Sequence, residues 1–215
     1  MKKSIRIVPA VLTDNPAILK TMLEKAADYT DFVQIDIMDG VFVPSHSISW
    51  KDILPIRKQP QWEAHLMIKN PEKEFANYQK AGASKVIFHY EATQDHKKVI
   101  QVARSLKLKV ALAINPETTL AQVMPLLDAV DSVLFLSVHP GFYGAKFLPE
   151  VLDKIKELHR IKPALMLSID GGINENNLLE VTKSGVREIC VGSGIFRQPD
   201  PAEAYRKLTT VVNKA

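Results

Sequence analysis

The sequence has only one cysteine, Cys190, among its 215 residues. An intramolecular disulfide is therefore excluded, and a reducing compartment is expected. Long hydrophobic runs are also missing. The opening stretch "MKKSIRIVPAVLTDN" is broken by Arg6 and Pro9 and lacks a small-residue cleavage site. It is too short to cross a bilayer, so it reads as a first strand and the protein as cytoplasmic, without a membrane partner. There is no basic block and no patch of interleaved basic and aromatic residues, which argues against nucleic acid. The net charge of +4 is modest. It suits a phosphorylated metabolite and serves ordinary solubility equally well. No linker, low-complexity run or break in composition divides the chain, so residues 1–215 read as a single domain.

Against these absences stands a regular rhythm. Apolar, β-branched runs recur at 5–11, 32–38, 62–68, 85–90, 109–114, 132–138, 165–170 and 188–192. Helical periodicity fills the intervals. "NPAILKTMLEKAADY" starts with Asn15 as a cap and Pro16 at the first helical position. "NPEKEFANYQKAGA" repeats that signal and stops at Gly82, and "NENNLLEVTKSGV" ends near Gly185. "PEVLDKIKELHR" and the closing "DPAEAYRKLTTVVNK" complete the series. Strands that alternate with helices pair in parallel through right-handed crossovers. Eight of them in a chain of this length make a single (β/α)8 TIM barrel. A doubly wound sheet is the alternative, but its Gly-rich first turn is absent.

In such a barrel, reactive groups collect at the C-terminal ends of the strands. Gln34, Asp36, His65, His89, Asn115, Ser137, His139 and Asp170 all fall there. Strand alternation places Gln34, Asp36 and Met38 on one face, and Glu63, His65 and Met67 on another. Two carboxylates and an imidazole from separate strands suit either an oxygen–nitrogen metal site or an acid–base pair. Each has a structural reading too. Asp36 could accept from backbone amides, His65 could be a satisfied core histidine, and Asp170 could cap a helix near Asn174. Glycines after the seventh and eighth strands, in "DGGI" and "VGSGIF", predict a phosphate cradle at Gly171, Gly172, Gly192 and Ser193. "HPGFYGA" after the sixth strand could fold over a ligand.

Seven ordered motifs, "DIMDGVFVPS", "AHLMIKNPE", "AGASKVIFHYEA", "INPETTL", "SVHPGFYGAKF", "IDGGI" and "VGSGIF", resemble the ribulose-phosphate 3-epimerase family. The likeness spans roughly residues 5 to 200. It implies a barrel enzyme that interconverts D-ribulose 5-phosphate and D-xylulose 5-phosphate. By resemblance, Asp36 and Asp170 are the two proton-transfer carboxylates. Asp36, His65 and Asp170, with position 34, hold a divalent ion (zinc, manganese, iron or magnesium). His65, Gly141, Phe142, Tyr143, Gly144, Gly171, Gly172, Gly192 and Ser193 bind the phosphosugar, and the assembly is a homo-oligomer.

Several positions depart from the family pattern. Gln34 stands where the family has His, and an amide oxygen is the weaker zinc ligand. Ala10 and Thr13 replace serines of the first strand region, Tyr143 and Ala145 alter the glycine loop, and Glu63 stands where Asp is usual. These changes keep two other readings open: an epimerase of another ketose phosphate such as allulose 6-phosphate, and a phosphosugar-binding relic without catalysis. The decarboxylase type of barrel, with Asp-x-Lys-x-x-Asp, is set aside because "DIMD" has no lysine in that arrangement.

Overall fold

The structure, a computed structural model, describes residues 4–140 and 146–214. The chain opens with β1 (Arg6–Val11), α1 (Pro16–Ala26), β2 (Phe32–Met38), α2 (Trp50–Ile53) and β3 (Gln61–Met67). It continues with α3 (Phe75–Lys80), β4 (Lys85–His89), α4 (His96–Ser105), β5 (Lys109–Ile114), α5 (Leu120–Val123) and β6 (Ser132–Leu136). Last come α6 (Val151–Ile161), β7 (Met166–Asp170), α7 (Leu178–Thr182), β8 (Glu188–Val191), α8 (Ser193–Phe196) and α9 (Pro201–Lys214). The eight strands run parallel in sequence order, and β8 pairs with β1 to close the barrel. Each expected strand is present within about two residues, the usual uncertainty of element ends.

Alternation along the strands builds two cores. Val33, Ile35, Leu66, Phe88, Val133 and Ile189 face outward against the helices. The next residues face inward, where Val8, Ala10, Ile87, Ala113, Leu134 and Cys190 pack together. The interior is not uniformly apolar. Gln34, Asp36, Glu63, His65, Lys85 and His89 are buried there as well. Lys85 reaches across from β4 to pair with Glu63 on β3 and with Glu188 on β8, the latter at 3.5 Å.

Helix starts follow local chemistry, with one exception. Asn15 Oδ1 accepts from the Ala17 and Ile18 N–H groups at 2.9 and 3.2 Å, and Pro16 opens α1. The similar "NP" at Asn70 behaves differently. Asn70 adopts φ 52, its side chain caps nothing, and Pro71 starts a 3-10 turn before α3 begins at Phe75. Asn tolerates the left-handed region, so the same dipeptide serves there as a turn. The segment expected as one helix over 174–186 contains a shorter one, α7, preceded by a turn. In that turn the Asn174 and Asn177 amides both donate to Gly172 O. Among the described residues, no helix is long and apolar enough to cross a membrane.

Candidate active site

Register aligns the polar groups. Asp36 on β2 is level with His65 on β3, Gln34 with Ala10 on β1, and Asp170 on β7 with Cys190 on β8. Barrel closure therefore brings groups far apart in sequence to one cavity. It is lined by Asp36, His65 and Asp170, by Gly171, Gly172, Gly192 and Ser193, and by the apolar side chains of Met38, Met67, Leu136 and Val138.

At its floor lies a tight polar cluster. Gln34 Nε2 donates to Asp36 Oδ1 at 2.9 Å and to Asp170 Oδ2 at 2.6 Å. His65 Nδ1 lies 2.8 Å from Asp36 Oδ1 and 3.6 Å from Asp170 Oδ2. Burial lifts the Asp36 carboxyl to about 7, although Gln34 and His89 oppose it. Burial, reinforced by the Asp36 charge, lifts Asp170 to about 7 as well. The same burial pulls the His65 imidazole down to about 4, against the pull of Asp170. Near neutral pH the imidazole is neutral, and the two carboxyls exchange protons readily.

The structural readings of Asp36 and Asp170 fit less well, whereas His65, buried and in contact with Asp36 and His89, fits a satisfied core histidine as it fits a ligand. The side-chain partners of Asp36 are Gln34 and His65. Asn177, not Asp170, is the N-cap of α7. Asp39, by contrast, is a structural carboxylate. Its Oδ1 accepts from Val41 N and Phe42 N, and its Oδ2 from Lys69 N, which outweighs its partial burial and keeps its carboxyl below the ordinary value.

A second row of groups stands behind His65. His65 Nε2 is 2.9 Å from His89 Nε2, and His89 Nδ1 lies 3.2 Å from Asn115 Oδ1 and 3.5 Å from Glu91 Oε2. Burial pushes the Glu91 carboxyl up, but bonds from His89, Thr118 and the Asn115 N–H outweigh it and hold the group below its ordinary value. His89 Nδ1–H donates to Asn115 Oδ1, with the Glu91 carboxylate 3.5 Å away adding negative charge beside it. His89 Nε2 is left bare and accepts the His65 Nε2–H. The His65 Nδ1 lone pair then meets Asp36 Oδ1 at 2.8 Å, a contact made while that carboxyl carries a proton. Sequence reading noted His89 and Asn115 as strand-end residues but gave neither them nor Glu91 a role.

Cys190 was missed too, having been weighed only for disulfides. Its Sγ–H donates to Gln34 Oε1 at 3.2 Å. The available signal was its position two residues before Gly192, on the inward face of β8.

The expected cradle residues line the same cavity. Gly171 has φ 118, and a Cβ there would lie 2.6 Å from Val138 Cγ2, so the turn itself demands glycine. Gly192 is not left-handed; a Cβ there would come 3.2 Å from Ala10 O. Gly141, Phe142, Tyr143 and Gly144 lie outside the described residues.

Asp36, His65 and Asp170 bring ligand atoms within 4.8 Å of one another. Two carboxylate oxygens and an imidazole lone pair fit a divalent ion. Gln34 does not complete the set as it stands, since an N–H2 group has no lone pair to give.

Comparison with known proteins gives the family. The family model for the ribulose-phosphate 3 epimerase family matches residues 6–196. The chain is similar to ribulose-phosphate 3-epimerase of Aquifex aeolicus, 36% identical over 86% of each chain. It is 34% identical to that of Escherichia coli, covering 96% of this chain and 93% of the relative. Among solved structures, 3-hexulose-6-phosphate synthase from Salmonella typhimurium superposes with a TM-score of 0.74 at 18% identity, covering 98% of this chain and 99% of that one, a likeness of fold alone. By the family match and the level of identity together, the chain belongs to the ribulose-phosphate 3-epimerase family.

Proposed function

We propose that the protein is an isomerase that interconverts D-ribulose 5-phosphate and D-xylulose 5-phosphate by inverting C3. The observation that carries this reading is the meeting of Asp36 and Asp170, from β2 and β7, over one cavity beside a neutral His65. Names of the similar proteins supply the substrate.

The carbon beside a ketone loses its proton only if the resulting enediolate is stabilised. Asp36, ionised, takes the C3 proton from one face; Asp170, protonated, returns a proton to the other. The reverse reaction exchanges their roles. Carboxyls that titrate near neutrality are matched to this work. Asp36, His65 and Asp170 would hold a divalent ion only with the Gln34 amide turned over, its oxygen then a weak fourth ligand. When bound, such an ion supplies positive charge to the enediolate oxygens. Met38, Met67, Leu136 and Val138 keep the reacting carbon away from bulk water. Main-chain N–H groups around Gly171, Gly172, Gly192 and Ser193 receive the phosphate. Gly141, Phe142, Tyr143 and Gly144 join them on the resemblance alone, as does assembly into a homo-oligomer.

The test is an NMR assay of D-ribulose 5-phosphate in deuterated buffer, with allulose 6-phosphate in parallel. Formation of D-xylulose 5-phosphate with deuterium at C3 is expected. Turnover of the hexulose alone would reassign the substrate, and exchange with neither would make the chain a phosphosugar-binding relic. Sedimentation of the same sample reads the assembly.

A further inference from the structure

Gln34 is wholly buried at the base of the cavity. Its Nε2 lies 2.9 Å from Asp36 Oδ1, 2.6 Å from Asp170 Oδ2 and 3.4 Å from His65 Nδ1. These are the same three side chains that could ligate an ion. The amide nitrogen therefore sits among the acceptors that a cation would join.

The orientation of the amide follows from its surroundings. With the amide turned over, Oε1 would face two carboxylate oxygens at hydrogen-bond distance, acceptor against acceptor. With Nε2 inward, its two N–H bonds serve one carboxylate each. The outward oxygen then meets the Cys190 thiol at 3.2 Å, a donor suited to it. Both amide hydrogens and the amide oxygen are satisfied in this arrangement.

We propose that the Gln34 carboxamide, held by the Cys190 thiol, is the resident occupant of the cation position in this chain, its N–H bonds bridging Asp36 and Asp170. This rests on the epimerase reading for what the site does, though not for how the amide sits. An ion entering the site must turn the amide over. That breaks both bonds to carboxylates and exchanges an S–H···O contact for a weak N–H···S one. Bound metal is therefore dispensable here. As Asp36 takes up the C3 proton its hold on the amide weakens, and the N–H so released is the donor that meets the charge developing on the enediolate oxygen.

The test begins with calorimetric titration of zinc and manganese into chelator-stripped protein. Gln34→Glu keeps the shape and replaces the N–H2 with an acceptor; Cys190→Val keeps an apolar side chain there and removes the donor that holds the amide. Each should bind zinc at least about tenfold more tightly than wild type, the scale on which a ligand's supporting partners act. Gln34→Ala, which empties the position, should also bind more tightly and covers the case in which Gln34→Glu does not fold. In NMR, the Gln34 side-chain N–H pair should be slow to exchange in wild type and slower than in Cys190→Val. Equal zinc affinity in wild type and the Gln34 variants, or no effect of Cys190→Val on either readout, overturns the proposal. Wild-type epimerisation should persist in excess chelator. Activity that vanishes with chelator and returns with metal overturns the proposal but leaves the epimerase reading intact. Absence of turnover under every condition removes that reading, and the affinity order still decides the position of the amide.

Discussion

Asp36 and Asp170 are costly residues for a barrel interior, because an ionised carboxylate loses its hydration there. Their carboxyls rise to about 7, whereas an exposed Asp titrates at about 4. Proton transfer between opposite faces needs one protonated and one ionised member. The pair should therefore give a bell-shaped dependence of kcat/KM on pH, with its maximum near neutrality. Asp36→Asn or Asp170→Asn should each lower kcat by about 10²–10⁴, the usual worth of a positioned acid or base. On the proposed assignment each carboxyl serves its own face, so neither should rescue the other. Deuterium exchange at C3 measures the loss, and near-normal rates in either variant refute the two-base assignment. The same burial has a stability consequence. Between the unfolded and folded values the native state binds more protons than the unfolded chain, so this contribution is full at low pH and is lost as pH rises through about 7. In chelator, the stability advantage of Asp36→Asn over wild type should grow by about 2–3 kcal/mol from pH 5 to pH 8. Urea unfolding at the two pH values checks this; a gap that shrinks contradicts it.

At the scale of elements, the two glycine turns after β7 and β8 look alike in sequence but differ physically. Gly171 is fixed by its left-handed φ and by the crowding of Val138, so Gly171→Ala should destabilise the fold by about 1–3 kcal/mol. Gly192 has an ordinary φ and lines the cavity. Gly192→Val should act mainly on binding, raising KM for the phosphosugar and weakening competition by inorganic phosphate together. Unchanged phosphate competition would move the phosphate elsewhere. The strands themselves were legible as short apolar runs, because a buried parallel sheet needs continuous β-branched and apolar residues. Helix starts were less so, as the two "NP" dipeptides demonstrate: Asn15 caps while Asn70 turns. Asp36, His65 and Asp170 could be nominated from strand-end polarity. The bond from Cys190 to Gln34 could not, since it joins positions 156 residues apart that meet only when β8 closes on β1.

The whole barrel is held by an apolar exterior of the sheet and by a partly ionic interior. Burial pulls the Lys85 ammonium down, but Glu63 and Glu188 outweigh it and keep it charged. The side chains of Lys85 and Glu63 are only 10% and 2% exposed, so water does little to screen the pair. The arrangement links β4 to β3 and β8 from within, and none of the three residues lines the cavity. Sequence reading recorded Glu63 as a departure from the family and gave Lys85 no role, because their meeting depends on closure of the sheet. Removing one partner of a buried ion pair leaves an uncompensated charge, at about 3–5 kcal/mol. Lys85→Met should therefore destabilise the protein by that order at pH 8, above the value of about 7 to which burial lifts the Glu63 carboxyl. Adding Glu63→Gln should recover a large part of the loss, because the amide tolerates an interior without a cation. If the strut is structural, kcat of the folded fraction should change little in either variant, while the urea midpoint moves down and then back up. A double variant less stable than Lys85→Met alone would show that Glu63 has another essential partner, and that the interior is not held by this charge pair.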